Sequence, residues 1–296
     1  MNKYKLELIG SMLLFGSIGI FVKNIEFTSV QIALGRAIIG ALFLFIFSII
    51  SKKTTSKELI KSNILILILG GICLSINWIF LFEAYKYTAI SSATICYYLA
   101  PIIVMFLSPI IFKEKLTVVK IVCILSAMVG MLCVIGVGNS SGSNNFVGIL
   151  YALAAACLYS CVIILNKFLK DMSGLQSAFI ELSIASLFLI PYVYFTDGIS
   201  FSGVSSISIV LLLTIGIVHT GIAYLFYFNS IQNLESQTVA IYSYVDPISA
   251  IIMSSLLLGE KMTFLQVIGG ILIIGSTFIN EIFAKKLSRE LKYFKD

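Results

Sequence analysis

Residues 97–102, YYLAPI, and residues 243–248, SYVDPI, stand 146 positions apart and share a tyrosine, a proline and an isoleucine in register. The match extends outward. FKEKLT at 112–117 falls on LGEKMT at 258–263, and eight of the 23 positions between 95 and 117 are identical to their counterparts. Among them are Tyr98 with Tyr244, Pro101 with Pro247, Ser108 with Ser254 and Glu114 with Glu260. At a shift of 145, Gln31 meets Gln176 and Arg36 meets Glu181. The chain therefore reads as two copies of one unit.

The unit is apolar throughout. Of 296 residues, 59% are hydrophobic and 11% charged, whereas soluble domains run near ~45–50% and ~25%. With a mean hydropathy of +1.06, the chain has more apolar surface than a water-exposed globule can hide, so the bilayer is its expected solvent. Apolar runs fall at 6–22, 31–50, 64–85, 91–112 and 117–136, and again at 146–165, 175–195, 206–231, 237–258 and 263–283. They are about twice the length of a transmembrane strand and show no sustained alternation. The predicted fold is all-α, with ten transmembrane helices arranged as two five-helix repeats, 1–138 and 146–283. An uncharged linker, NSSGSNN at 139–145, joins them, and a basic tail follows at 284–296. The first run resembles a signal peptide, but Glu7 interrupts it and no small-residue cleavage site follows Val22, so it is expected to be retained.

Charge placement predicts orientation. With a cytoplasmic N-terminus, sixteen of the 20 Lys and Arg residues fall on the inner side; only Lys23, Lys86 and Lys261 fall outside, and Arg36 lies within a span. The positive-inside rule thus places both termini in the cytoplasm. The +6 balance is accounted for by this topology, and no nucleic-acid partner is expected. An odd number of spans per unit makes the second unit enter the membrane from the opposite side. Such inverted repeats are the physical basis of alternating access around a midplane site. Lysine outnumbers arginine 18 to 2, a bias of AT-rich bacterial genomes that points to a bacterial plasma membrane. All six cysteines lie in apolar runs without a CxxC pair and read as small core residues.

Two five-span halves, a proline-centred fourth helix followed by a Glu-Lys turn, and HTGIAYLFYFNSI at 219–231 leading into SYVDP together resemble the EamA family of the drug/metabolite transporter superfamily. The resemblance implies a carrier whose central cavity is lined by helices 1, 3, 4, 6, 8 and 9, with helices 5 and 10 peripheral. It also implies efflux of small metabolites such as amino acids. Helix 1 departs from the small multidrug-resistance pattern, having no mid-span glutamate; Glu7 lies near its inner end.

Ionisable groups inside a span cost roughly 2.5–3.5 kcal/mol each on insertion scales and need an interior position, a partner or a water-filled cavity. Five stand out: Arg36, Glu83, Glu181, His219 and Asp246. Depth counting places His219 and Asp246 near the midplane, facing one cavity, where they bind a polar substrate group or exchange a proton, or else fix helix packing. Their repeat counterparts are Cys73 and Ala100, so this pair exists only in the second half. Arg36 and Glu83, both near the outer face, are expected to pair, as a gate or a permanent tie. Glu181, near the inner face, is expected to meet Asn229, Asn166 or Lys170. Pro101 and Pro247 are expected to kink helices 4 and 9 in mid-span as hinges or static bends. Asn77, Trp78, Tyr98, Tyr242 and Tyr244 complete a candidate aromatic substrate wall. Ser126 and Gly130 form a small-residue pair suited to a close helix contact, including one across a homodimer.

Rival functions are weighed by what they require. A rhomboid-like protease needs a GxSG serine, a prenyltransferase clustered aspartates, and a histidine metal site more than the single His219; none is present, and there is no P-loop. No enzyme activity, cofactor or metal is expected. The expected partners are a small-molecule substrate, the lipid bilayer and protons. A passive channel is separated from a carrier by counterflow.

Overall fold

The computed structural model describes residues 2–22, 24–52, 56–87, 93, 96–114, 116–135, 145–198, 203–258 and 264–293. Their regular structure is helical: α1 (Lys3–Val22), α2 (Ser29–Ile50), α3 (Lys57–Tyr87), α4 (Ala100–Phe112), α5 (Val118–Ile135), α6 (Asn145–Lys167), α7 (Gly174–Thr196) and α8 (Ser206–Thr214). A π-helix (Ile215–Ile222) follows, then α9 (Ala223–Asn233), α10 (Ser236–Ser243), α11 (Val245–Leu258) and α12 (Phe264–Tyr293). Among the described residues, six stretches are long and apolar enough to cross a membrane: Lys3–Val22, Ser29–Ile50, Lys57–Ala84, Phe146–Lys167, Gly174–Thr196 and Ser206–Asn233. Ala100–Phe112, Val118–Cys133 and Val267–Ser276 are shorter apolar helices. Linker positions 139–144, Lys23, Lys115, Glu260 and Lys261 lie outside the described residues.

The distribution of side chains is that of a membrane protein. Large apolar residues such as Leu42, Ile46 and Ile50 on α2, Leu187 and Phe195 on α7, and Val118 on α5 point outward, with Phe195 82% exposed. The interior instead holds Ser11, Asn77, Asn166, Glu181, His219, Thr220 and Gln237. In hydrocarbon the outside carries no penalty for Leu or Phe, and polar groups find partners only inward.

The two halves interlock. α3 packs on α6 as α9 packs on α1; α3 on α7 as the π-helix on α2; and α4 on α6 as α11 on α1. Two further large interfaces, α2 with α7 and α5 with α12, join an element to its own repeat counterpart. These contacts are related by exchanging the halves. The same local chemistry starts α2 and α7. Thr28 Oγ1 accepts from the Gln31 amide and its own amide donates to Gln31 Oε1, while the Ser173 amide donates to Gln176 Oε1 at 2.9 Å. Counterparts 145 residues apart thus carry matching N-terminal caps, which accounts for the Gln31 and Gln176 match.

Helices 4 and 9 do not bend at their prolines as expected. The chain turns at Tyr98 and Leu99, and again at Tyr244, so that Pro101 and Pro247 fall in the first turn of α4 and α11. Proline is tolerated there because the missing N–H would have no intrahelical acceptor. Each expected kink is therefore an interruption just ahead of the proline.

Gly130 brings α5 against a helix of the same chain. A side chain there would stand 2.6 Å from the Gly269 carbonyl and 2.9 Å from Ile273, so the glycine lets α5 approach α12 of the same chain. Ser126 lines an adjoining apolar cleft of about 280 Å³ with Val122, Ser276 and Phe283. Gly130→Leu is expected to lower stability by ~1–3 kcal/mol through overpacking, read as a lower melting temperature in detergent. Gly19→Ala, where nothing lies within 4 Å, is the matched control.

Candidate functional site

The interruptions of helices 4 and 9 bring the halves together through their tyrosines. Tyr98 Oη donates to Asp246 Oδ2 at 2.8 Å, and Tyr244 Oη donates to the Tyr98 carbonyl at 3.0 Å. The second bond satisfies a carbonyl at the break, one of the orphan acceptors that a helix end leaves. The two rings lie 6.2 Å apart. Trp78 and Tyr224, counterparts at the same shift of 146, also touch, with centroids 6.3 Å apart. A residue can contact its own counterpart only beside the axis that exchanges the repeats, so these two pairs mark that axis.

An aromatic series joins them. Tyr97 stacks on Tyr159 at 5.5 Å, Tyr159 on Tyr227 at 6.3 Å, and Tyr227 Oη donates to Tyr159 Oη at 2.6 Å. Tyr227 neighbours Tyr224, and Phe15 of α1 meets both rings edge-on. The rings run from Tyr98 and Asp246 at one end to Trp78 and Arg36 at the other. Tyr97, Tyr98, Tyr159, Arg36 and Asp246 remain half-buried, while Tyr224 and Tyr227 are buried.

At the far end, the Arg36 guanidinium lies over the Trp78 ring, 4.9 Å from its centroid, and Nε donates to Thr220 Oγ1 at 3.0 Å. Thr220 in turn donates to the Ile215 carbonyl at 3.1 Å. That i to i−5 reach belongs to the widened π-helical turn, a feature frequent at functional sites. His219, in the same turn, places Nε2 2.9 Å from Ser17 Oγ. The Ser17 hydroxyl also stands 2.8 Å from the Leu14 carbonyl, so the direction of the Ser17–His219 bond follows the imidazole tautomer. The Phe21 ring meets the imidazole edge-on at 4.8 Å.

His219 and Asp246 have different partners. Consecutive residues of α1 serve them: Ser17 meets His219, and Gly16 lies against the Asp246 carbonyl and Ser249. The expected Arg36–Glu83 pair does not form. Glu83 Oε1 accepts from Lys86 at 2.6 Å and from Tyr192 Oη at 2.8 Å, tying the end of α3 to α7, while Arg36 lies level with Thr220. Glu181 is fully buried and Oε1 accepts from Asn166 Nδ2 at 2.9 Å, one of its three expected partners. Its carboxyl fills the space that a side chain at Gly70 would need. Asn229 instead donates to Glu7 at 2.5 Å, and the Lys170 amide to Asn63. Asn77 turns to the α6 backbone, donating to the Ala155 carbonyl at 2.7 Å, and Tyr242 is buried in the core.

Glu114 caps α10, accepting from the Ser236 amide at 2.9 Å, where a carboxylate complements the helix N-terminus. Outside the spans, Glu26 accepts from the Ser205 amide at 2.7 Å and from the Ser208 hydroxyl, and these donors hold its carboxyl below the usual range. Sequence reading missed Tyr97, Tyr159, Tyr224, Tyr227, Ser17 and Thr220. The i, i+3 spacing of Tyr224 and Tyr227 was the available signal.

The EamA-like transporter family matches residues 4–136 and again residues 146–281. A Bacillus subtilis protein named uncharacterized transporter YxxF is 28% identical over 270 residues, covering 90% of this chain and 86% of its own. The Salmonella typhimurium protein named uncharacterized inner membrane transporter YicL is 23% identical over 300 residues, covering 97% and 98%. A solved crystal structure at 16% identity superposes with a TM-score of 0.83, over 96% of this chain and 99% of that one, and so shares the fold.

Proposed function

The chain belongs to the EamA-like transporter family, and on that premise we propose that it is a secondary carrier exporting small metabolites, amino acids or related compounds and amphipathic drugs, by alternating access. In this reading ten helices cross a bacterial plasma membrane as two inverted repeats, with both termini in the cytoplasm. The substrate lies against the aromatic series between Asp246 and Arg36. One observation carries the proposal: Tyr98 with Tyr244, and Trp78 with Tyr224, meet directly beside the exchange axis. Ring pairs on that axis map onto themselves when the halves swap roles and so serve as a pivot, while a one-sided bond such as Tyr244 Oη to the Tyr98 carbonyl must exchange for its mirror.

Purified protein in liposomes is the test. Preloading with unlabelled amino acid should accelerate entry of the labelled compound, with saturation. Flux that never saturates and shows no trans-stimulation would identify a passive pore. No flux of any amino acid or amphipathic amine would remove the substrate assignment.

A further inference from the structure

We propose that Arg36 is a carboxylate-binding subsite, so that the transported solute carries a carboxylate beside an apolar, preferably aromatic, body. The inference rests on the carrier reading above and names its substrate class.

Arg36 is a cation inside the bundle with no carboxylate partner among the described residues. Its contacts are the Thr220 hydroxyl at Nε and the face of Trp78. Glu83, the nearest acid by sequence reasoning, is taken by Lys86 and Tyr192. Glu181, its repeat counterpart, is held by Asn166. Nη1 and Nη2 are therefore left with their donors unused by the described residues. A charge in a span is retained where it has a partner or a job. Stacking on Trp78 and the bond to Thr220 fix the plane of the guanidinium, and a fixed fork of donors suits the two oxygens of a carboxylate. Thr220 is itself anchored to the Ile215 carbonyl, so the clamp is preorganised by the π-helix. Trp78 and Tyr224 back it as buried rings, and the half-buried Phe15, edge-on to Tyr224, offers apolar surface to the rest of the solute.

The sequence contains two arginines, Arg36 and Arg289, which makes a direct test clean. Full-length protein in lipid nanodiscs is treated with the arginine reagent phenylglyoxal, and each site is quantified by peptide mass spectrometry. Benzoate or phenylalanine at ten times its half-protecting concentration should slow labelling of Arg36 about tenfold and leave Arg289 unchanged. Phenethylamine, which lacks the carboxylate, should protect neither. Arg36→Lys keeps the charge without the fork and should lose thermal stabilisation by benzoate. If it fails to fold, the labelling of wild-type protein still decides. Equal labelling with and without carboxylates, no labelling of Arg36, or equal protection by phenethylamine would overturn the proposal. Protection without saturable flux would instead fault the carrier reading alone.

Discussion

Gly16→Leu is expected to lower stability by about 3 kcal/mol or more, the upper range for overpacking a site that cannot yield. A β-carbon at Gly16 would stand 1.9 Å from Ser249 Oγ, 2.6 Å from the Asp246 carbonyl and 2.8 Å from the Ala250 amide nitrogen. A serine hydroxyl can rotate away, but the other two atoms are backbone. α1 would have to withdraw from α11, taking with it the Ser17 contact to His219. Fluorescence-detected size exclusion after a heating series should show a much lower melting midpoint, or loss of the monodisperse peak. Gly10→Leu, facing open space on the same helix, should behave as wild type. Equal melting of the two variants would refute the close packing of α1 against the second half.

Asp246→Asn is expected to reduce flux about tenfold, which corresponds to ~1.4 kcal/mol of lost stabilisation and lies within the range of a charge-assisted hydrogen bond. The carboxylate accepts from Tyr98 across the two halves; an amide keeps the shape but loses the charge. Tyr98→Phe removes the donor from the other side. Two residues that act as a unit are not additive, so the double variant should be little worse than the poorer single one. Counterflow in liposomes at matched protein abundance measures all three. A wild-type rate in Asp246→Asn, or strictly multiplicative losses, would assign the bond to packing alone.

Much of the architecture was readable from residue patterns, and the reason is physical. Apolar runs must be long enough to span hydrocarbon, and a repeated motif must fold alike twice, so 97–102 and 243–248 located the two interruptions. The interruptions fell two or three residues ahead of Pro101 and Pro247 because proline fits the start of a helix better than its middle. The π-helix was invisible, since a hydropathy run is the same whether hydrogen bonds reach back four residues or five. Partner choice was the weakest point. In lipid the outward face of a helix is as apolar as its packed face, so sequence gives a residue's depth better than its azimuth. Arg36 and Glu83 looked adjacent for that reason, yet Arg36 turns to Thr220 and Trp78 while Glu83 turns to Tyr192. For Glu181 depth left Asn229, Asn166 and Lys170 open, and the one that it meets is Asn166, on the preceding helix.

The widened turn at Ile215–Ile222 gives the rod from Ser206 to Asn233 a mechanical freedom that a continuous α-helix lacks. A straight α-helix transmits rotation rigidly, whereas a wide turn can migrate along the rod, one peptide at a time. Each such step re-aims only the residue it passes, by about 100° and ~1.5 Å, the angle and rise of a single residue. Tyr224 and Tyr227 lie directly beyond it, so passage of the turn along α9 would re-aim each ring in succession without melting the rod.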